Sequence, residues 1–115
     1  NAADYRASDF AKFDYIAVIY AHFLPKLRVQ LHQQIINSLK PGAKIVLEGF
    51  NKRQINNTSG GPKDIEMLYN EEILKDDFKE LSIDYLQEKN KQLNEGSFHT
   101  GQAEIIQLIA KKLRK

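Results

Sequence analysis

The sequence predicts an α/β domain: a parallel strand–helix–strand unit followed by an antiparallel strand pair. Three observations predict it. A continuous apolar run, Phe13 to Tyr20, precedes a helically spaced segment from Leu24 to Leu39. A second apolar run, Lys44 to Glu48, follows directly. Strand, helix and strand within about 35 residues make a βαβ unit, whose strands lie parallel with a right-handed crossover. Two further apolar segments near the C-terminus, joined by a short connection, favour antiparallel pairing.

Each element has a local reason. Residues 1–12 are mixed and polar and read as a loop. Phe13-Asp14-Tyr15-Ile16-Ala17-Val18-Ile19-Tyr20 is apolar and partly β-branched, as expected of a strand covered on both faces; a buried helical segment is the alternative. Leu24, Leu27, Leu31, Ile35 and Leu39 recur every three or four residues and predict one apolar helical stripe. Pro25 suits the first helical turn, where no backbone N–H is needed. Lys40-Pro41-Gly42 predicts the helix stop. Asn51 to Pro62 is polar, carries Gly60-Gly61-Pro62, and predicts a mobile, lid-like loop. Asp64 to Leu68 suits a short helical turn. Asn70 can cap the next helix, with Glu71 and Glu72 in its first turn and Ile73, Leu74 and Phe78 on its apolar side. Leu81, Ile83 and Tyr85 alternate with polar residues and start a strand that can run through Leu93. Asn94-Glu95-Gly96 is turn-like, and Ala103 to Ala110 predicts the last strand. The basic tail, residues 111–115, is expected to be frayed and solvated.

Composition narrows the functional classes. The 115 residues are 42% hydrophobic and 28% charged, enough for one core. Seventeen Lys and Arg against 15 Asp and Glu give a charge of +2, too balanced to point to nucleic acid. The absence of cysteine excludes disulfides, a thiolate nucleophile and Cys-ligated zinc, and suits a reducing, cytoplasmic setting. No run approaches the roughly 20 apolar residues of a membrane-spanning helix. The three histidines lack metal-ligand spacing, so no metal site is expected. The first residue is Asn1 rather than Met. The expectation is a single domain portion, residues 1–115, of a longer protein.

Particular residues carry a resemblance. Phe13-Asp14-Tyr15-Ile16 resembles the fourth strand of class I S-adenosylmethionine-dependent methyltransferases. Leu39-Lys40-Pro41-Gly42-Ala43-Lys44 resembles the turn before their fifth strand, with Ala43 in place of a second glycine. Ile45 to Phe50 resembles that fifth strand. Ile19-Tyr20-Ala21-His22-Phe23, Glu48-Gly49-Phe50, Gly60-Gly61-Pro62-Lys63-Asp64 and Leu93-Asn94-Glu95-Gly96 are similar to a bacterial, tellurite-resistance-type branch. The resemblance covers essentially the whole chain. It implies a partial Rossmann-like methyltransferase sheet, the C-terminal half of the fold with its N-terminal strands missing. A Gly-x-Gly-x-Gly cofactor turn does not occur in these residues.

The resemblance also implies a site. Asp4 would accept from the adenine amino group and Tyr5 would contact the ring; a solvated loop acid is the alternative. Ile19 and Tyr20 would lie against S-adenosylmethionine, Tyr20 packing on its sulfonium, unless Tyr20 is simply a core aromatic. His22 would act as a general base, or merely help start the helix. Phe23, Glu48 and His99 would meet the substrate, although Glu48 could instead pair with a lysine. His32 is expected on the solvated side of its helix. The implied activity is methyl transfer to a small-molecule acceptor in the full-length protein, this chain alone being inactive. Two rivals stand beside it: a non-catalytic interaction module, self-associating through an uncovered sheet edge, and an RNA methyltransferase.

Overall fold

The structure, a computed structural model, describes residues 13–57, 60–94 and 100–113. Its elements are β1 (Phe13–Ile19), α1 (Pro25–Ser38), β2 (Leu39–Phe50), α2 (Glu71–Asp77), β3 (Ser82–Asn94) and β4 (Thr100–Lys111). Two 3-10 turns, Lys52–Asn56 and Ile65–Met67, lie between β2 and α2. The four strands form one sheet in the order β1-β2-β4-β3. β1 and β2 are parallel, and β4 runs antiparallel between β2 and β3. The predicted α/β class and βαβ unit are therefore observed.

Local chemistry sets the boundaries. Leu24, the N-cap of α1, has ψ 152, the extended conformation that a following proline favours. The helix ends at Ser38, before the predicted stop. The Lys112 ammonium donates to the carbonyls of Ile36 and Leu39, each at 3.0 Å, and so satisfies acceptors freed at the helix end. Residues 39–43, expected as a turn, belong to β2. Pairing jumps from Phe13↔Leu39 to Tyr15↔Lys44, and Gly42 takes φ 85 within that irregularity. In α2 the Asn70 side chain accepts from the Ile73 N–H at 2.8 Å, the expected cap. The tail is tied down as far as Lys112, whose N–H donates to the Ala43 carbonyl at 2.8 Å.

The core lies between the helices and one face of the sheet. Ile36, Leu39, Ile45, Leu47, Leu74, Phe78, Ile106 and Leu108 are buried together. Strand alternation turns Val46, Glu48, Gln107 and Ile109 to the other face, where they are half-buried. The chain around Ile55 and Leu68 closes the carboxyl end of that face over Phe50, Ala103 and Ile105.

Two expectations about α1 are corrected. His32 is not solvated: it is 1% exposed, as is Ile36, and Arg28 is buried beside them. Leu24 and Leu27, assigned to the inward stripe, are exposed. The reason is tertiary. Asp77 at the end of α2 accepts from Arg28 Nε at 2.8 Å and His32 Nδ1 at 2.7 Å, so the inward face can carry polar groups. The apolar stripe instead borders a groove of about 310 Å³ between β1 and α1, with Phe13, Val18, Phe23, Leu31 and Ile35 on its walls. β1 also departs from its expected burial. It is an edge strand, and Phe13, Tyr15 and Ile19 are exposed because no described element covers them.

Candidate functional site

Ligands of open α/β sheets bind beyond the carboxyl ends of the parallel strands. At that end of β1 and β2 the chain places Tyr20 and Glu48. Tyr20 has φ 52, the only positive φ among the described non-glycine residues. Its backbone N–H donates to the Glu48 carbonyl at 2.7 Å, and its hydroxyl donates to Glu48 Oε2 at 2.5 Å. Gln107 Nε2 on β4 donates to Glu48 Oε1 at 2.6 Å, and Lys91 Nζ on β3 reaches Oε2 at 3.2 Å. One carboxylate thus collects donors from all three other strands or their ends. Burial acts to raise its pKa. The three hydrogen bonds and the Lys91 charge outweigh burial and hold the carboxyl below its ordinary value. A cavity of about 190 Å³ adjoins it, walled by Ile19, Val46, Tyr85 and Ile109.

His22 sits on the first stretch of the crossover to α1. The Met67 carbonyl, which can only accept, lies 2.8 Å from Nδ1; the Phe50 N–H, which can only donate, lies 3.1 Å from Nε2. The ring is therefore neutral, with its proton on Nδ1. Burial pushes its pKa down, against the raising effect of the Met67 carbonyl. Both nitrogens are occupied by backbone, so this geometry leaves no lone pair for a substrate proton. Its part here is to join the crossover to β2 and to the Met67 segment.

Tyr69 completes the join. Its hydroxyl donates to the Ala21 carbonyl, its N–H donates to the Phe50 carbonyl at 3.1 Å, and its carbonyl accepts from the Lys52 N–H at 2.9 Å. Its ring lies 4.9 Å from His22 and 6.1 Å from His32 between centroids. Burial raises its phenol to about 12, so it remains a donor. Gly49 allows this approach: a Cβ there would stand 2.8 Å from the Tyr69 ring and 3.2 Å from His22.

The segment expected as a mobile lid is fastened where it is described. Asn51 Nδ2 donates to the Ile105 carbonyl at 2.9 Å, and buried Gln54 accepts from the Glu104 N–H at 2.8 Å and donates to the Gly60 carbonyl at 2.9 Å. Gly61, at φ 89, packs over Phe50.

The structure brings together Ile19, Tyr20, His22 and Glu48 from the expected set. Phe23 lies apart, on the groove between β1 and α1. Asp4, Tyr5 and His99 lie outside the described residues. Sequence reasoning missed Tyr69, Lys91 and Gln107. Gln107 left a signal, the lone uncharged polar residue within the apolar run Ala103 to Ala110. Among the described residues no cluster of His, Cys, Asp or Glu could hold a metal, and no helix is long and apolar enough to cross a membrane.

No family model and no curated relative matches this chain. Solved structures with the same fold do. A SAM-dependent methyltransferase from Methanosarcina mazei superposes with a TM-score of 0.67 at 20% identity, over 100% of this chain and 66% of that one. TehB from Haemophilus influenzae gives 0.65 at 11% identity, over 94% of this chain and 39% of that one. The N-methyltransferase NodS from Bradyrhizobium japonicum gives 0.61 at 10% identity, over 89% and 52%. The chain thus has a partial Rossmann-like methyltransferase fold and spans less than two thirds of each of these proteins.

Proposed function

We propose that this chain forms the C-terminal part of a class I methyltransferase domain, of the tellurite-resistance-type branch, that moves a methyl group from S-adenosylmethionine to a small-molecule acceptor. The observation that carries the reading is the strand order: a parallel pair extended by β4 inserted between β2 and β3. The solved structures that share the fold include the three methyltransferases above.

Bound S-adenosylmethionine supplies an electrophilic methyl group on a sulfonium. The chain's own residues align and enclose. Exposed Ile19 offers an apolar wall at the end of β1. Tyr20 offers an aromatic wall whose hydroxyl is held by Glu48. Asp4 and Tyr5 are assigned to the adenine, and Phe23, Glu48 and His99 to the acceptor side. His22 is assigned to positioning rather than to proton removal, which suits a reaction driven by proximity and alignment. The described residues fit part of a cofactor site, and a glycine-rich turn would come from sequence outside these 115 residues. The same assignment accounts for exposed β1: its outer edge and the adjoining groove would take the remainder of the domain. The chain alone would be inactive and prone to self-association, in a cytoplasmic protein.

The coding sequence upstream of Asn1 gives the first test. An apolar strand followed by Gly-x-Gly-x-Gly supports the reading, and translation starting at Asn1 contradicts it. Transfer of labelled methyl from S-adenosylmethionine by the longer protein gives the second. Label in the small-molecule fraction is the expected result; label in RNA would replace the acceptor class.

A further inference from the structure

Tyr20 is held in a left-handed conformation that an ordinary side chain adopts only when its surroundings over-determine it. Glu48 holds residue 20 twice, through its carbonyl and its carboxylate. Tyr69 holds residue 21 through its hydroxyl. Residue 22 is held from both sides, by the Met67 carbonyl and the Phe50 N–H. The rings continue the same path: Tyr69 to His22 at 4.9 Å, His22 to Phe50 at 5.6 Å, and Phe50 to Tyr20 at 4.9 Å. Met67 and Tyr69 belong to the segment that follows β2, not to the crossover itself. The strained residue is thus held directly by β2, and the two residues that follow it are held in part by the segment on the far side of the site.

We propose that Tyr69 is a positioning residue, and that docking of the Met67–Tyr69 segment and engagement of Glu48 by Tyr20 form one two-state unit. With the segment docked, Tyr20 is bent at the end of β1 and its hydroxyl occupies Glu48. With the segment withdrawn, residues 21 and 22 lose their anchors, the bend relaxes, and Glu48 keeps only Gln107 and Lys91. The carboxylate then has an acceptor position open beside the cavity walled by Ile19 and Tyr85. A ligand bearing a hydroxyl or ammonium donor would take that position in place of the tyrosine. The proposal deepens the methyl-transfer reading, by making Glu48 an acceptor-side group whose availability the segment controls. Its read-outs need neither cofactor nor acceptor.

Tyr69→Phe keeps the ring stack and deletes only the bond to the Ala21 carbonyl. In carboxyl-labelled protein followed by NMR, the Glu48 titration should move up toward the ordinary carboxylate value, and amide exchange at Phe50 should speed about tenfold or more. Coupling is reciprocal, so Tyr20→Phe should speed exchange at Lys52, whose N–H bonds the Tyr69 carbonyl. Lys112→Met, which unfastens the end of α1 away from the site, should lower stability without moving Glu48. The proposal is overturned if Tyr69→Phe lowers stability while Glu48 and Phe50 keep their wild-type behaviour. It is equally overturned if Lys112→Met moves Glu48 as far, or if Tyr20→Phe leaves Lys52 unchanged.

Discussion

His32 on α1 donates from Nδ1 to the Asp77 carboxylate at the end of α2, across 2.7 Å and 45 residues of sequence. The same carboxylate accepts from Arg28 Nε at 2.8 Å. Its side chain is 2% exposed, that of His32 1% and that of Arg28 10%. Two helices with few other contacts are joined by a buried polar knot, packed between Tyr69 and Phe78. Removing one partner of such a knot strands the others away from water. Asp77→Asn should therefore destabilise the fold by about 3 kcal/mol, as breaking buried pairs does. The check is the urea midpoint, with an unchanged slope. Burial acts to raise the pKa of Asp77, and the His32 and Arg28 interactions more than reverse it. A depressed carboxyl contributes stability above its unfolded value of 3.8, lost as pH falls below that toward the folded value. The Asp77→Asn variant should lose that part of the acid dependence.

His22 gives a pH dependence of the same sign, in a higher window, for a different reason. Burial lowers its pKa below 6.5, so the native state prefers the neutral ring. Above 6.5 both states are neutral and the full contribution is present. As pH falls from 6.5 toward the folded value, the unfolded chain binds the proton first and stability declines. His22→Ala should flatten this slope. It should also cost about 2–4 kcal/mol, since it leaves a buried N–H and a carbonyl without their partners. Denaturant curves from pH 5 to 8 measure both effects.

Gly49 and Gly61 make different demands. At Gly49 the limit is space, since a Cβ would lie 2.8 Å from the Tyr69 ring. Gly49→Ala should push apart Tyr69 and His22, costing about 1–3 kcal/mol. At Gly61 a Cβ would meet both crowding at Phe50 and a φ of 89. Thermal unfolding of the two alanine variants should show losses in each, and ring-proton shifts of His22 should move more for Gly49→Ala, whose Cβ would meet that ring directly.

The two edges of the sheet differ in kind. β3 carries Asp84, Glu88, Lys89 and Lys91, charges of the sort that discourage strand addition; β1 carries only Asp14. Tyr15, 57% exposed, and Leu27, 48% exposed, lie in the unprotected region. Tyr15→Lys combined with Leu27→Lys should reduce self-association of the 115-residue chain in sedimentation, with stability changed by no more than about 0.5 kcal/mol per site.

What was legible in the sequence was local. The apolar runs of β1 and β2 and the Asn70 cap depend on neighbours a few residues away, and all three form where expected, although β1 is exposed rather than covered and β2 begins at Leu39 rather than Lys44. The inward face of α1 was misread because two faces competed. Leu24, Leu27 and Leu31 looked like a core stripe, and only Asp77, far along the chain, makes the Arg28–His32–Ile36 face the better one to bury. Tyr69 escaped notice for the same reason: its partners, Ala21, His22 and Gly49, lie 20 to 48 residues away, and no periodicity marks such contacts. Glu48 was recognised as either a ligand group or a lysine partner. The structure shows the lysine, together with a tyrosine and a glutamine whose pairing with Glu48 no local pattern marks.

Calorimetric titration with S-adenosylmethionine tests the central claim most directly, comparing the 115-residue chain with the protein expressed from its upstream codons. The account predicts micromolar binding by the longer protein and no measurable heat from the chain alone. Micromolar binding by the chain alone, or none by the longer protein, would contradict it.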